Sequence, residues 1–146
     1  MFPKPVDNLR PNTLEFEIRP LIKATGFREY DARWWFGFPG AAKPPELNLL
    51  GVQALGMGLG TYLHRRGVRP EVVTGHDYRA YSLSVKMALV VGLMAAGCRV
   101  HDIGLALSPM AYYAQFALDA PAVPLPQAAT TLSGRVKRGR SVTSAR

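Results

Sequence analysis

The sequence has few of the features that mark several common protein classes. Cys98 is its only cysteine, which excludes a disulfide framework and a metal cluster held by several thiolates. The longest apolar run, Met87–Cys98, has 12 residues, whereas about 20 are needed to span a bilayer. The N-terminus has no apolar stretch of the kind found in signal peptides. These features predict a cytoplasmic protein with no membrane-spanning segment.

The usual nucleotide-binding and metal-binding motifs are also missing. There is no GxxxxGK[ST] loop, and the three histidines do not have the spacing of metal ligands. Gly56, Gly58 and Gly60 resemble part of a dinucleotide fingerprint, but they lie inside a helical pattern and follow no strand. We therefore expect these glycines to allow close packing of helices.

The positive charge is concentrated at one end of the chain. The net charge is +8, and the last 26 residues, Pro121–Arg146, supply five of these charges and contain no acidic residue. Such a segment can bind nucleic acid through phosphate contacts. It has no aromatic residue to stack on bases and no signature of a nucleic-acid module, so we expect a disordered basic tail over residues 121–146.

At 146 residues the chain has the length of one domain. Residues 1–12 are polar and rich in proline, so we expect a loose segment, followed by a domain over residues 13–120. Alternation of apolar and charged residues predicts a strand over Thr13–Arg19. A second extended segment is predicted over Phe27–Trp35, and dense glycine and proline predict a loop over Phe36–Pro45.

The remainder of the domain alternates between helical and strand patterns. The predicted elements are a helix from Glu46 to about Arg66, a strand over Glu71–Gly75, a helix over Leu83–Gly97 capped by Ser82, a strand over Arg99–Gly104, and a helix over Met110–Leu118 started by Ser108-Pro109. This order predicts a three-layer α/β/α fold with a mostly parallel mixed sheet. The sequence does not supply a clear further strand after Val123, so we expect the sheet to be incomplete at its C-terminal side.

The loops that follow the predicted strands are candidate ligand sites, because open α/β sheets bind ligands at the carboxyl ends of their strands. One such loop spans 76–81 and carries Asp77 and Arg79, and another spans 105–107. Asp77 and Arg79 either fix the loop or line a pocket for an anion, and the helix N-terminus at Ser82 favours an anion.

Three motifs in series resemble those of a known family. They are Phe27-Arg28-Glu29-Tyr30-Asp31-Ala32-Arg33, Gly75-His76-Asp77-Tyr78-Arg79 and Asp102-Ile103-Gly104-Leu105-Ala106-Leu107-Ser108-Pro109. Their order and spacing over 26–119 are similar to the first domain of the α-D-phosphohexomutases, the family of bacterial phosphomannomutase/phosphoglucomutase. The resemblance implies an enzyme that moves a phosphoryl group between the 1- and 6-hydroxyls of a hexose. It also implies a hexose phosphate substrate, a phosphoserine on the protein and Mg²⁺ as cofactor.

The resemblance also assigns roles to individual residues. Arg33 matches the arginine beside the phosphoserine and is the candidate catalytic residue, since a guanidinium holds a phosphoryl group bidentately. Tyr30 matches the tyrosine of the same motif and would contact substrate. Asp77 and Arg79 match the family's Gly-Arg-Asp-x-Arg loop and would support the wall of the active site, although His76 stands in place of its first arginine.

The catalytic parts that the family carries farther along are absent from this sequence. The Thr-Ala-Ser-His-Asn-Pro loop, whose serine carries the phosphoryl group, is replaced by residues 124–134, and Ser133 lacks the surrounding motif. The Asp-x-Asp-x-Asp-Arg metal loop is missing as well. We therefore expect a chain that binds no metal and is inactive alone. We also expect that its reading frame is lost near 122–124, and a natural truncation is the alternative. The encoding DNA tests this, because a lost frame requires that another frame downstream contains a Ser-His-Asn motif.

Two alternatives stay open at this stage. The first is a small anion-binding or interaction module that keeps the Arg33 and Arg79 wall without chemistry. The second is a nucleic-acid-binding protein, which predicts salt-sensitive affinity that is lost when residues 121–146 are removed.

Overall fold

The computed structural model describes residues 2–29, 31–37, 40–127 and 131–136, which form four α-helices and five β-strands. The helices are α1 (Leu14–Ile18), α2 (Leu49–Arg65), α3 (Ser82–Ala95) and α4 (Ser108–Ala117), and the strands are β1 (Asp31–Arg33), β2 (Glu71–His76), β3 (Arg99–Leu105), β4 (Ala122–Gln127) and β5 (Thr131–Val136). A 3₁₀ turn spans Ala24–Gly26. No helix in this part of the chain is long and apolar enough to cross a membrane.

The five strands form one mixed sheet in the order β1-β5-β4-β2-β3. β2 is parallel to β3 and to β4, whereas β5 is antiparallel to both β4 and β1. It follows that β1, β2, β3 and β4 all run in the same direction. Their carboxyl ends therefore share one edge of the sheet, and their amino ends share the opposite edge.

Neighbouring residues of β2 show that helices cover both faces of the sheet. Val72 belongs to a core cluster that includes Val85 and Leu89 of α3 and Val52 of α2. The adjacent Val73 packs instead with Ala111 of α4, in a second cluster. Successive side chains of a strand point to opposite faces, so α2 and α3 lie on one side of the sheet and α4 on the other. The predicted three-layer α/β/α fold with a mixed sheet is confirmed. The expectation that the sheet is incomplete at its C-terminal side is wrong, because β4 and β5 join it between β2 and β1.

The N-terminal segment is attached to the domain through Asn48, the N-cap of α2. Its side-chain oxygen accepts from the backbone N–H groups of Gly51 and Leu21, at 2.7 and 2.8 Å. Its side-chain nitrogen donates to the carbonyls of Phe16 and Arg19, both at 2.8 Å. The buried amide thus satisfies groups from both parts of the chain, which is why α2 begins at Leu49 rather than at Glu46 as predicted.

The strand predicted over Thr13–Arg19 is wrong, because this segment contains the short helix α1. The Thr13 hydroxyl accepts from the Phe16 N–H as a helix cap, and the Arg19 guanidinium pairs with Glu15 one turn away, at 2.7 Å. α1 has no buried residue, so its alternating apolar side chains do not mark the inner face of a sheet.

The N-caps of α3 and α4 lie one residue before the predicted N-caps. Tyr81 is the N-cap of α3, and Ser82 is the first helical residue, with its hydroxyl bonded to Asp77. Leu107 is the N-cap of α4, which places Ser108 and Pro109 in the first turn. In both cases the serine that was predicted to be the N-cap is instead the first residue of the helix.

The disordered tail predicted over residues 121–146 is wrong for β4 and β5, while 128–130 and 137–146 lie outside the described residues. β5 pairs with β4 along its whole length, whereas β4 pairs with β2 only between Ala122 and Val72. Pro124 and Pro126 have no N–H to donate. A proline fits into β4 only where its missing N–H would have faced β2 rather than β5. The pairing of β4 with β2 is therefore short.

The glycines of α2 allow it to pack closely on α3. A Cβ on Gly56 would lie 2.5 Å from the Leu89 carbonyl oxygen, and one on Gly60 would lie 2.6 Å from the Ala96 Cβ. A Cβ on Gly58 would have no neighbour within 4 Å. The expectation of close helix packing is confirmed for Gly56 and Gly60, but Gly58 faces away from the contact.

These two environments predict opposite effects of the same substitution on one helix. Gly56→Ala forces α2 away from α3 and lowers the free energy of unfolding by about 1–3 kcal/mol. Gly58→Ala, the matched control, raises it by up to about 1 kcal/mol because alanine is the better helix former. Urea denaturation measures both values, and equal effects of the two variants would contradict the close packing.

Candidate functional site

The loops that carry the predicted site residues meet at the carboxyl edge of the sheet. His76, at the end of β2, pairs with Leu105, at the end of β3. The N–H of Ala106 donates to the His76 carbonyl at 2.9 Å, which joins the two loops. The carboxyl end of β1 lies at the same edge, so the predicted loops and Arg33 share one side of the domain.

Asp77 organises the loop between β2 and α3. One carboxylate oxygen accepts from the Arg79 guanidinium at 2.5 Å, and the other accepts from the Arg79 N–H at 3.3 Å and from the Ser82 hydroxyl. The Asp77 side chain is only 11% exposed. The carboxylate therefore connects the loop to the first turn of α3.

Arg79 is a partner of Asp77 rather than an unpaired cation. Its guanidinium carbon also lies 5.4 Å from the centre of the Tyr78 ring, a cation–π distance. The loop is thus stabilised by its own side chains. Of the two readings left open by the sequence, this geometry fits a supporting role for Asp77 and Arg79 better than direct capture of an anion.

Arg33 lies at the end of β1 and is largely exposed. Its Nε donates to Asp31 at 2.9 Å, and its terminal nitrogens make no hydrogen bond or ion pair with the described residues. In the sheet Arg33 is opposite Thr131, the first residue of β5, which is itself opposite Gln127, the last residue of β4. Arg33 therefore lies at the edge where β4 ends and β5 begins, and the family resemblance implies a phosphoserine loop after β4.

Arg33 and Arg79 are at the same edge but not in contact. Two strands, β5 and β4, separate β1 from β2, which corresponds to about 14 Å at the usual spacing of strands. Tyr30 lies outside the described residues, so its predicted contact with substrate stays a prediction. The structure thus brings Asp77 and Arg79 together and leaves Arg33 separate.

An aromatic pair joins the two parts of this edge. The rings of Phe36, after β1, and Tyr81, before α3, stack with centres 5.8 Å apart. Trp34 anchors the same segment, since its buried indole donates to the Lys23 carbonyl at 2.7 Å. Phe36 also lines an open cavity of about 450 Å³ with Phe16 and Lys43, which contains none of the predicted site residues.

Sequence reasoning missed an ion pair between a buried lysine of α3 and a half-exposed aspartate of β3. The Lys86 side chain is 4% exposed, and its ammonium donates to Asp102 at 2.7 Å. Burial raises the pKa of Asp102, but hydrogen bonds from Lys86 and the Gly104 N–H, with the charges of Lys86 and His76, outweigh it. The pKa therefore lies below the ordinary 3.8. A lysine beside a long apolar run was the only signal of this pair in the sequence.

A comparison with family models decides which family the chain represents. Residues 25–124 match the phosphoglucomutase/phosphomannomutase alpha/beta/alpha domain I. The chain belongs to this family. The matched segment includes Arg33, the Asp77 loop and all three motifs singled out from the sequence, so the resemblance is confirmed.

Curated relatives of this phosphohexomutase domain agree with the match. The chain is 36% identical to phosphomannomutase of Escherichia coli over 99 residues, which is 67% of this chain and 19% of the relative. It is 32% identical to phosphomannomutase/phosphoglucomutase of Pseudomonas aeruginosa over 100 residues, 68% of this chain and 20% of the relative. A phosphoglucomutase/phosphomannomutase of Thermococcus kodakarensis is 44% identical over 61 residues, 41% and 13% of the two chains.

A solved structure shows the same fold. The crystal structure of a phosphoglucomutase/phosphomannomutase family protein from Burkholderia thailandensis superposes with a TM-score of 0.58 at 22% identity, covering 78% of this chain and 26% of that one. The chain matches at most 20% of the length of the three curated relatives.

The Mg²⁺ expected for the family does not fit the described part of this domain. Among these residues, no group of three or more His, Cys, Asp or Glu side chains could hold a metal ion. Asp77 and Asp102 are each engaged with a cation of the protein, Arg79 and Lys86. We derive no catalytic step through a metal from these residues.

The Lys86–Asp102 pair predicts a specific dependence of stability on pH. Because the folded pKa of Asp102 is lowered, the pair contributes its full stability above about pH 4 and loses it as pH falls through the folded pKa. Asp102→Asn leaves the Lys86 ammonium without its carboxylate and lowers the free energy of unfolding by about 1–3 kcal/mol at pH 7. The difference in the free energy of unfolding between wild type and Asp102→Asn, here called the gap, decreases below pH 4.

Urea titrations at pH 7 and pH 3 measure this gap, with Glu15→Gln as the matched control. The exposed Glu15–Arg19 pair contributes under about 0.5 kcal/mol. A gap for Asp102→Asn that is the same at both pH values would contradict the assigned role.

Proposed function

We propose that this chain supplies the first domain of a phosphohexomutase site, which acts on a hexose phosphate and transfers a phosphoryl group between the 1- and 6-hydroxyls. The position of Arg33 carries the proposal. Arg33 lies at the carboxyl edge, opposite the first residue of β5, and the terminal nitrogens of its guanidinium make no hydrogen bond with the described residues. The family resemblance puts the phosphoserine loop after the strand that corresponds to β4.

Arg33 would hold the phosphoryl group during transfer. A guanidinium donates two parallel hydrogen bonds to phosphoryl oxygens and stabilises charge that develops there. The bond from its Nε to Asp31 restrains the group and leaves the terminal nitrogens without a partner among the described residues. Tyr30 is proposed to contact the sugar, on the strength of the motif alone.

Asp77 and Arg79 would shape the wall of the site without touching the reacting atoms. Their mutual bond and the Ser82 hydroxyl fix the loop against α3. The Phe36–Tyr81 stack then connects this loop to the segment that follows Arg33. A cytoplasmic location stays a prediction of the sequence.

We propose further that these 146 residues alone do not catalyse the transfer. The sequence has neither the Ser-His-Asn nucleophile loop nor the Asp-x-Asp-x-Asp-Arg metal loop of the family. Catalysis of phosphoryl transfer comes mostly from positioning the nucleophile and the phosphoryl group and from stabilising the charge of the transition state. A metal ion provides much of that charge stabilisation. A coupled assay of the purified chain with glucose 1-phosphate and Mg²⁺ is expected to show no glucose 6-phosphate above background, and Mg²⁺-dependent turnover would refute this.

A chimera tests the role of Arg33 where a complete site is present. Residues 25–124 replace the matching segment of the Pseudomonas aeruginosa relative, whose own serine and metal loops remain. In the chimera, Arg33→Lys is expected to lower kcat/KM about 100-fold, because lysine cannot donate the bidentate pair.

Arg28→Lys is the matched control for this experiment. Arg28 is exposed and belongs to the same motif, and its backbone N–H donates to the Asp31 carbonyl at 2.8 Å. We expect this variant to stay within two-fold of the parent chimera. An active chimera in which Arg33→Lys and Arg28→Lys behave alike would rule out the role proposed for Arg33.

The exposed guanidinium of Arg33 also favours a second candidate, an anion-binding module without chemistry. Calorimetric titration of the chain with glucose 6-phosphate separates the two functions. Tight stoichiometric binding without turnover supports the module, whereas absence of binding supports an enzyme domain that needs the rest of its site.

A further inference from the structure

Two buried residues on one face of α3 attach this helix to both loops of the carboxyl edge. Ser82 and Lys86 lie one turn apart, so their side chains share a face of the helix. The Ser82 hydroxyl donates to Asp77, in the loop after β2. The Lys86 ammonium donates to Asp102, in β3, which leads into the loop over 105–107. The first two turns of α3 thus support both loops.

Asp102 connects Lys86 to the backbone at the end of β3. Its second carboxylate oxygen accepts from the Gly104 N–H at 2.9 Å. Gly104 has a φ of +72°, in the left-handed region, and β3 carries an extra residue relative to β2 at this point. Such a bulge redirects the chain that follows it. The bond from Asp102 therefore fixes the turn from which the loop over 105–107 starts.

The turn at Gly104 also contacts the loop that follows β2. A Cβ on Gly75 would lie 3.0 Å from the Gly104 carbonyl oxygen, so the two backbones approach closely. The Ala106 N–H donates to the His76 carbonyl at 2.9 Å. A displacement of the turn at Gly104 would therefore move the two loops relative to each other.

Position 76 lies near Asp102 and holds a shorter side chain than the family motif, which has an arginine there. Val72, Thr74 and His76 alternate along β2, so His76 shares the face toward α3 with Asp102, which is opposite Thr74. At the usual spacings of strands and residues, the Cα atoms of residues 76 and 102 lie about 8 Å apart. The long side chain of an arginine spans this distance to a carboxylate.

The His76 imidazole does not replace such an arginine. It makes no hydrogen bond with the described residues, and its Nδ1 is buried without a partner among them. Burial raises the pKa of Asp102, and the bonds from Lys86 and Gly104 lower it, with the charge of His76 as the smallest contribution. The direct cationic partner of Asp102 is therefore Lys86.

We propose that Lys86 is a positioning residue of the candidate site, which supplies from α3 the positive charge that the family motif carries at position 76. Through Asp102 it fixes the turn at Gly104, and this turn sets the loop over 105–107 against the Asp77 loop. The effect on catalysis rests on the proposed function, whereas the effect on the loops does not.

The exposure of the two partners separates positioning from support of the core. Lys86 is buried, so methionine, which is similar in length and uncharged, fills its place. Asp102 is half-exposed, so water solvates its carboxylate when the ammonium is removed. We therefore expect K86M to loosen the loops while the domain as a whole stays folded.

Amide hydrogen exchange of the full chain, followed residue by residue by NMR, tests the positioning. In K86M the acceptor of the Gly104 N–H is no longer held in place, so we expect the amides of Gly104 and Ala106 to exchange about ten-fold faster. The amide of Leu63, buried in α2, reports opening of the whole domain and is expected to change less than about two-fold. Unchanged exchange at Gly104 and Ala106 would overturn the proposal.

Two further variants test the replacement and its specificity. H76R/K86M returns a cation to position 76 and is expected to bring exchange at Gly104 and Ala106 back to within about three-fold of the wild type; exchange as fast as in K86M would contradict the replacement. If K86M does not fold, a folded H76R/K86M supports the proposal and an unfolded one overturns it. Lys43→Met is the matched control, because Lys43 is exposed, pairs with Glu46 at 3.0 Å and belongs to neither loop. Equal acceleration in this control and in K86M would show a general effect of charge and would also overturn the proposal.

Kinetics of the chimera described above test the effect on the site. K86M is expected to raise KM about ten-fold and to change kcat less than about three-fold, because a displaced wall weakens substrate binding without touching the reacting atoms. H76R/K86M is expected to restore KM. An unchanged KM in an active K86M chimera would refute the effect on the site and leave the proposed function intact. An inactive parent chimera would count against the proposed function, and the exchange rates would still decide the positioning.

Discussion

Parallel pairing of β2 with β3 and β4 is the constraint on which the candidate site depends. Parallel strands place all their carboxyl ends at one edge and all their amino ends at the other. The carboxyl edge therefore receives the Asp77 loop, and β1, which runs in the same direction, brings Arg33 to it. Because β5 is antiparallel, the chain that passes the candidate site returns to the opposite edge at Val136.

The same sheet is stabilised through cores of unequal size. The face toward α2 and α3 buries the larger cluster, and glycines at the helix contact allow these helices to approach closely. Lys86 reaches from α3 into this layer and pairs with Asp102 at the rim of the sheet. Burying a lysine is favourable only with such a partner, so the pair also holds α3 in register with β3.

Local patterns predicted the elements that lie in the core and missed α1, β4 and β5, which depend on capping and on strand pairing. The apolar stripe of α2 and the β-branched run of β2 were sufficient, since burial enforces their periods. α1 was mistaken for a strand because its alternation is not buried, and capping by Thr13 decided its shape. β4 and β5 were missed because each is the partner of the other, which composition does not reveal.

The sequence by itself determined the family, through three motifs whose order and spacing identify a phosphohexomutase first domain, and it determined which residues could contact phosphate. Only the tertiary structure decided how those residues are arranged. It pairs Arg79 with Asp77 and leaves the terminal nitrogens of Arg33 exposed. Charge and motif are properties of the chain, whereas proximity depends on strand order and direction.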